Sequence, residues 1–290
     1  MEALLHQVLS GLATGGIYAS IALALVMIYQ STHHVNFAQG EMAMFSTFLA
    51  WMMIQAGMPY WIAFAATVAL SFALGALIEV AVIRPMRQAP MLSVVVVFIG
   101  LMVLFNSLAG WLFGYTIKQF PSPFPPDAWY GSVFMAPHEV GAIGVTLMVM
   151  TVLFLFFRYT PLGLAMRAAA QNPASSRLVG INVSHMLMLG WGLAGAIGSI
   201  GGMMVAPVVF LDPNMMSGIL LYAFAAALIG GIDSPAGAVL GGFVVGLLEN
   251  LIGTYVVGTD LKLSVALVLI VAVLIVRPSG ILGKTIVTKV

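Results

Sequence analysis

Apolar runs of membrane-spanning length follow one another along this chain with little polar sequence between them. Breaks marked by Pro, Gly and charge delimit segments at 7–29, 40–55, 61–83, 91–113, 139–157, 184–206, 217–232, 235–258 and 261–277. A hydrocarbon core about 30 Å thick takes roughly 20 apolar residues per helical crossing, so runs of this kind specify transmembrane helices. Composition agrees: 62% of the 290 residues are hydrophobic and 7% charged, with a mean hydropathy of +1.11. An ordinary soluble domain carries roughly 25% charged residues.

The runs have helical texture and lack the ten-residue alternation of an outer-membrane barrel, and abundant Gly (31) and Met (20) suit helix packing in lipid. No polar stretch is long enough to build a soluble core, so a single transmembrane domain over 1–290 is expected and energy-using machinery must come from other chains. The absence of cysteine excludes disulfides, thiolate metal sites and Cys nucleophiles. The amino terminus lacks the basic region of a cleavable signal, so its first run reads as a retained helix. The net charge of +1 carries no information about partners.

Cations set the orientation. Arg84 and Arg87 share one loop, Arg158, Arg167 and Arg177 another, and Arg277, Lys284 and Lys289 the carboxyl end. Threading the segments puts all three groups on one side, which the positive-inside rule makes cytoplasmic. The opposite side receives Lys118 and Lys262, the acids Asp127, Glu139, Asp212 and Asp260, and the Pro- and aromatic-rich loop of about 115–138. The amino terminus then lies outside and the carboxyl terminus inside. Nine crossings satisfy that parity, while the short segments 40–55, 217–232 and 235–258 leave open half-spans and an eight-helix bundle with a re-entrant piece.

Two interruptions fall inside the apolar pattern. Gln30–Glu41 contains His33, His34, Asn36 and Gln39 and is too tightly flanked to be a free loop. Irregular backbone at membrane depth is tolerated only where protein or a water-filled cavity covers it, and a helix starting near Gly40 would aim unpaired amides into such a cavity. The second, Leu228–Gly237, breaks at Gly230, Gly231 and Pro235 around Asp233 and Ser234. Paired breaks in two halves are a property of inverted-repeat transporters. Phe37–Trp51 and Asp212–Leu228 echo one another, with polar starts and Met pairs, and would run in opposite directions. The expected fold is an all-α membrane protein, a polytopic bundle of 8–9 helical segments with broken helices and an inverted repeat.

Glu41, Glu79 and Glu249 lie within or at the edges of apolar runs, where a mid-bilayer charge costs about 2.5 to 3.5 kcal/mol and therefore needs a partner, water or the bundle interior. For Glu41 a pathway role and a structural bond pinning the broken helix both stand. Glu79 is one turn from Arg84 and reads as a charge partner, and Glu249 beside Asn250 as a stitch between helices. His33 and His34 point in different directions on a helix and have no third ligand at metal spacing, so no metal site is expected. The glycines of Gly190–Gly202 read as a close-packing face. No P-loop, nucleotide fingerprint or nucleophile–base set is present, so the chain is expected to be no enzyme and to hold no cofactor.

The remaining polar stretch, about 158–183, lies on the cytoplasmic side. Within it Asn172 can cap a helix whose first residue is Pro173, and Gly180 can end it after Leu178 and Val179. That specifies a short rigid helix, a plug for a soluble partner.

Three ordered motifs now carry a resemblance: VNFAQGE (Val35–Glu41), RAAAQNPASSRLVGINV (Arg167–Val183) and LIGGIDSPAGAVLGGFVVGLLEN (Leu228–Asn250). Together they resemble the inner-membrane permeases of branched-chain amino-acid-type ABC importers, the LivH-like branch, from about Leu9 to Pro278. The family typically has His where this chain has Gln39. The resemblance implies a substrate path at Asn36, Phe37, Gln39, Gly40 and Glu41 with Gly230, Gly231 and Pro235. It implies ATPase coupling through Arg167, Ala168, Ala169, Asn172, Pro173, Arg177 and Gly180. The partners it implies are a homologous second permease, two ATPase subunits that bind the ATP, a periplasmic solute-binding protein and membrane lipid, with no nucleic acid. The compartment it implies is the bacterial inner membrane, and the solute a branched-chain or other amino acid, an amide or an aromatic acid. Competing readings are a stand-alone carrier or channel using Glu41 and Glu249, a purely structural subunit, and an ABC permease for a sugar.

Overall fold

The computed structural model describes residues 2–32, 34–127, 135–258, 261–277 and 279–283, apart from the side chains of Glu2 and Ser31. His33, residues 128–134 of the loop expected outside, Asp260, Pro278, Lys284 and Lys289 therefore lie outside the described residues.

The described chain is helical: α1 (Glu2–Thr32), α2 (Gln39–Gln55), α3 (Tyr60–Ile78), α4 (Met91–Phe113), α5 (Pro137–Tyr159), α6 (Pro161–Gln171), α7 (Pro173–Leu178), α8 (Val183–Val209), α9 (Met216–Gly230), α10 (Pro235–Ile252) and α11 (Lys262–Val276). Local chemistry sets the ends. Pro137, Pro161, Pro173 and Pro235 occupy first positions, where the missing amide hydrogen costs nothing. Thr160, Asn172, Asn182 and Ser234 cap α6, α7, α8 and α10 by accepting from Gly163, Ser175, His185 and Gly237 amides at 3.0–3.1 Å.

Among the described residues, six stretches are long and apolar enough to cross a membrane: Ala3–Gln30, Tyr60–Met86, Met91–Phe113, Pro137–Tyr159, Val183–Val209 and Pro235–Val257. With 17, 15 and 15 residues, α2, α9 and α11 reach only about 22 to 26 Å at 1.5 Å per residue, short of the roughly 30 Å core. The segment at 235–258, expected as a possible half-span, is full length because a π turn over Gly253–Val257 prolongs α10 until Gly258 at φ +86. The segment at 261–277 is short instead.

The chain divides into two compact units, each assembled from separated stretches. One comprises Met1–Val26, Phe124–Leu147 and Gly218–Val290, the other Met27–Pro123 and Met148–Ser217. In the first, a glycine seam brings α1 against α10. A Cβ at Gly15 would lie 2.7 Å from the Phe243 Cα, and one at Gly11 3.1 Å from the Gly246 carbonyl oxygen. Small residues four apart let backbones approach to the contact distances that hold helices together in lipid. The same device repeats between α9 and α10, where Gly230 meets Gly237 and Gly241 meets Ala226.

In the second unit α8 is the hub. Its glycines divide between two neighbours: Gly192 and Gly195 face Phe72 and Ser71 of α3, while Gly198 and Gly202 face Gln39 and Thr47 of α2. The expected close-packing face of Gly190–Gly202 is thus spent inside the protomer. Outside this hub, α4 is largely uncovered by protein, as a lipid-facing helix is.

An internal echo runs through the element order. α1, α2 and α3 repeat as α8, α9 and α10: a long helix, a turn, a short helix and a helix that ends in a π turn, Glu79–Ile83 or Gly253–Val257. Both turns are closed the same way, by Asn36 Oδ1 accepting from the Ala38 amide (3.0 Å) and Asp212 Oδ1 from the Asn214 amide (2.6 Å).

Candidate functional site

Between Thr32 and Gln39 the chain leaves the helix and re-enters it halfway along α8. Asn36 and Gln39 are fully buried. Besides closing its turn, Asn36 donates from Nδ2 to Gln39 Oε1 (3.4 Å), and Gln39 donates from Nε2 to the Ala194 carbonyl of α8 (3.1 Å). Ala194 is the twelfth residue of a 27-residue helix, so the start of α2 lies beside the middle of a membrane-length neighbour. Gly40 is buried and Phe37 partly exposed.

Glu41 is also buried, and Asn106 of α4 is its neighbour. The Asn106 amide nitrogen donates to the Pro213 carbonyl (2.7 Å) and the Asn214 side chain (3.2 Å) and stands 3.5 Å from Glu41 Oε2. One side chain therefore ties the first turn of α2 to the turn between α8 and α9. Asn106 was not singled out from the sequence; an amide in the middle of an apolar run was the available signal.

The second break belongs to the other unit. Gly231, at φ +109, donates to the Ala227 carbonyl, and the Ser234 amide donates to the Gly231 carbonyl, each at 2.9 Å. The chain near the carboxyl end then folds onto the tip of α9: amides of Ile281 and Leu282 donate to the Ile229 and Gly230 carbonyls at 2.8 and 2.9 Å. A Cβ on Gly231 would lie 2.5 Å from the Gly283 nitrogen. Gly230, Gly231 and Pro235 thus form a close-packed backbone turn. Also in this unit, Tyr18 donates to Glu249 Oε2 (2.8 Å) and Asn250 to the Gln7 carbonyl (3.2 Å), the stitching expected of that acid–amide pair.

The residues expected to couple to an ATPase form two helices. The plug helix is present as α7, capped by Asn172 and followed by Gly180 at φ +85. It is preceded by α6, which the sequence reading left out although Thr160–Pro161 is a start signal. Ala169 and Ser176 turn inward, while Arg167, Arg177, Leu178 and Val179 face out, Leu178 with 88% of its surface free. Under α6 and α7 lies a cavity of about 230 Å³ lined by Thr32 and His34, by Glu79 and Arg87, and by Pro173 and Arg177.

Glu79 is completely buried, and both of its oxygens are taken. Arg84 donates to Oε2 at 2.9 Å and Arg87 to Oε1. The pairing with Arg84 was expected; the second partner was not.

A family model described as "Branched-chain amino acid transport system / permease component" matches residues 7–274. The chain belongs to that family. It is 30% identical over 303 residues to the high-affinity branched-chain amino acid transport system permease protein LivH of Escherichia coli (strain K12), covering 99% of this chain and 97% of that one. It is 31% identical to BraD of Pseudomonas aeruginosa, a permease protein of the same description, over 99% of this chain and 98% of that one. The ribose import permease protein RbsC of Escherichia coli (strain K12) is 28% identical over 74% of this chain and 68% of its own. In this branched-chain-type permease the α1–α2 break with Asn106 and the α6–α7 arm belong to one compact unit, and the α9–α10 turn to the other.

Proposed function

We propose that this permease is the membrane-spanning subunit of an ABC importer for branched-chain amino acids or related small polar solutes. Its place is the bacterial inner membrane, with the amino terminus outside and the carboxyl terminus in the cytoplasm. A periplasmic binding protein delivers solute, a homologous permease completes the pathway, and two ATPase subunits bind and hydrolyse ATP, for which this chain carries no site and no cofactor of its own. Near-full-length likeness to LivH and BraD, against shorter and weaker likeness to a ribose permease, supports an amino-acid-type solute over a sugar.

The observation that carries this reading is α7: six residues, capped at one end by Asn172, released at the other by Gly180, and presenting Arg177, Leu178 and Val179 to solvent. An exposed Leu–Val pair on the polar arm of a membrane protein is a docking tip. Burying each side chain in a partner's cleft contributes about 1.5 to 3 kcal/mol. Arg177 adds a charge that such a cleft can read. Arg167, Ala168, Ala169 and Pro173 form the stalk that holds the tip.

In the same unit, Asn36, Phe37, Gln39, Gly40 and Glu41 are the reading's solute path, with Gly230, Gly231 and Pro235 as its counterpart. Backbone groups at broken helices suit a zwitterion, because amide hydrogens meet carboxylate and carbonyls meet ammonium while neither binds tightly enough to prevent release. Alternating access follows when ATP closes the ATPase pair, α7 moves with its cleft, and α8 transmits the shift to α2.

The test is a mild-detergent purification of the chain from its native membrane with mass spectrometry of what accompanies it. ATPase subunits, a second permease and a binding protein are the expected companions, and the ligand held by the binding protein names the solute. A chain that emerges alone and moves solute in ATP-free liposomes would overturn the reading.

A further inference from the structure

We infer that buried Glu79 with its partners Arg84 and Arg87, extended by the Arg87–Ser184 hydrogen bond, is the joint through which movement of α7 reaches the α3–α8 pair, with Arg87 as the positioning residue. The inference rests on the reading of α7 as the ATPase-coupling helix and adds residues on neither the path nor the docking tip.

A buried carboxylate is costly to desolvate and rarely adds stability even when paired, so its presence needs a reason other than packing. The α3–α8 seam does not require it. Gly75 meets the Trp191 carbonyl and Gly195 the Ser71 carbonyl, contacts made by backbone alone. Glu79 nevertheless sits fully buried at the π turn that ends α3, clamped by two guanidinium groups.

Arg87 does two things at once. One nitrogen of its guanidinium binds Glu79, and the other, Nη1, donates to Ser184 Oγ at 2.8 Å. Ser184 is in the first turn of α8, two residues after the Asn182 cap, and only Val179, Gly180 and Ile181 separate that cap from the end of α7. Gly180, in the left-handed conformation that glycine adopts without strain, sets the tight turn of this connection. Directly beneath α7, Pro173 and Arg177 line one cavity with Arg87 and Glu79. A route from α7 runs along this short connection to Ser184, across Arg87 to Glu79, and into α3. From α8 it continues through the Gln39–Ala194 bond to the start of α2.

Arginine suits this joint because its planar fork serves two partners at a fixed angle, whereas lysine supplies only a point charge. That difference separates a joint from mere charge balance. The experiment uses the whole importer purified from its native membrane, reading stimulation of ATP hydrolysis by the loaded binding protein. Ser184→Ala and Arg87→Lys are expected to keep normal ATPase co-purification while stimulation falls by about tenfold, the scale of one charge-assisted hydrogen bond. Both variants preserve the Glu79 charge partner, so folding is retained. Wild-type stimulation in both, or stimulation lost only in proportion to lost ATPase subunits, overturns the joint. Leu178→Asp separates the two readings. If it leaves the ATPases bound, the coupling assignment of α7 falls first; if it releases them while the Ser184 and Arg87 variants behave as wild type, only the joint falls.

Discussion

Glu41 and Asn106 meet where α2 begins, and their chemistry divides structural from functional outcomes. Asn106 makes its short bond to the Pro213 carbonyl (2.7 Å) and only a long one to Glu41 (3.5 Å). Asn106→Leu strands that carbonyl without a donor, so the purified complex should lose about 1 to 3 kcal/mol of stability, read as a lower thermal midpoint in detergent. Glu41→Gln keeps shape and hydrogen-bonding capacity while removing charge, and is expected to reduce solute uptake more than the yield of assembled complex. The reverse order would make Glu41 a helix-pinning group only. Glu79 was legible as a partner of Arg84 because five residues of helix bring the two together. Arg87 and Ser184 were not, because 97 residues separate them and only the docking of α8 on α3 brings them into reach.

The elements depend on two kinds of glycine, and substitution tells them apart. Gly11, Gly15, Gly242 and Gly246 form the α1–α10 seam, where a side chain would meet backbone on the facing helix. Gly242→Leu forces those helices apart and should destabilise by at least about 1 to 3 kcal/mol, seen as loss of folded protein on detergent extraction. Gly144→Leu is the matched control, since nothing lies within 4 Å of a Cβ there. It should extract like the parent. For α7 the cap is the determinant: Asn172→Ala removes the bond to the Ser175 amide, costs about 0.5 to 2 kcal/mol of local stability, and frays the docking helix. ATPase co-purification should weaken while membrane insertion stays normal. Both ends of α7 were readable from Asn172–Pro173 and Gly180, since capping acts over three or four residues. The α1–α10 seam was not read, because a Gly-x-x-x-Gly spacing does not name its partner helix.

Orientation is a property of the whole chain and can be tested directly, because the sequence contains no cysteine to interfere. Leu178→Cys and Ile117→Cys place single thiols at positions 88% and 72% exposed. A membrane-impermeant maleimide should label Ile117→Cys in intact spheroplasts and Leu178→Cys only after the membrane is opened; the opposite pattern would invert the topology. Hydropathy was sufficient for the helical membrane class, and turn chemistry for both ends of α7 and the start of α10 at Pro235, since each depends on a residue and its near neighbours. Two interleaved units, the division of the α8 glycines between α2 and α3, the second partner of Glu79 and the Asn106 tie were settled by tertiary structure alone. Each depends on which helices meet and in what register, and inside a bilayer hydrophobicity favours no apolar face over another, so that choice falls to close packing and to polar pairs far apart in the chain.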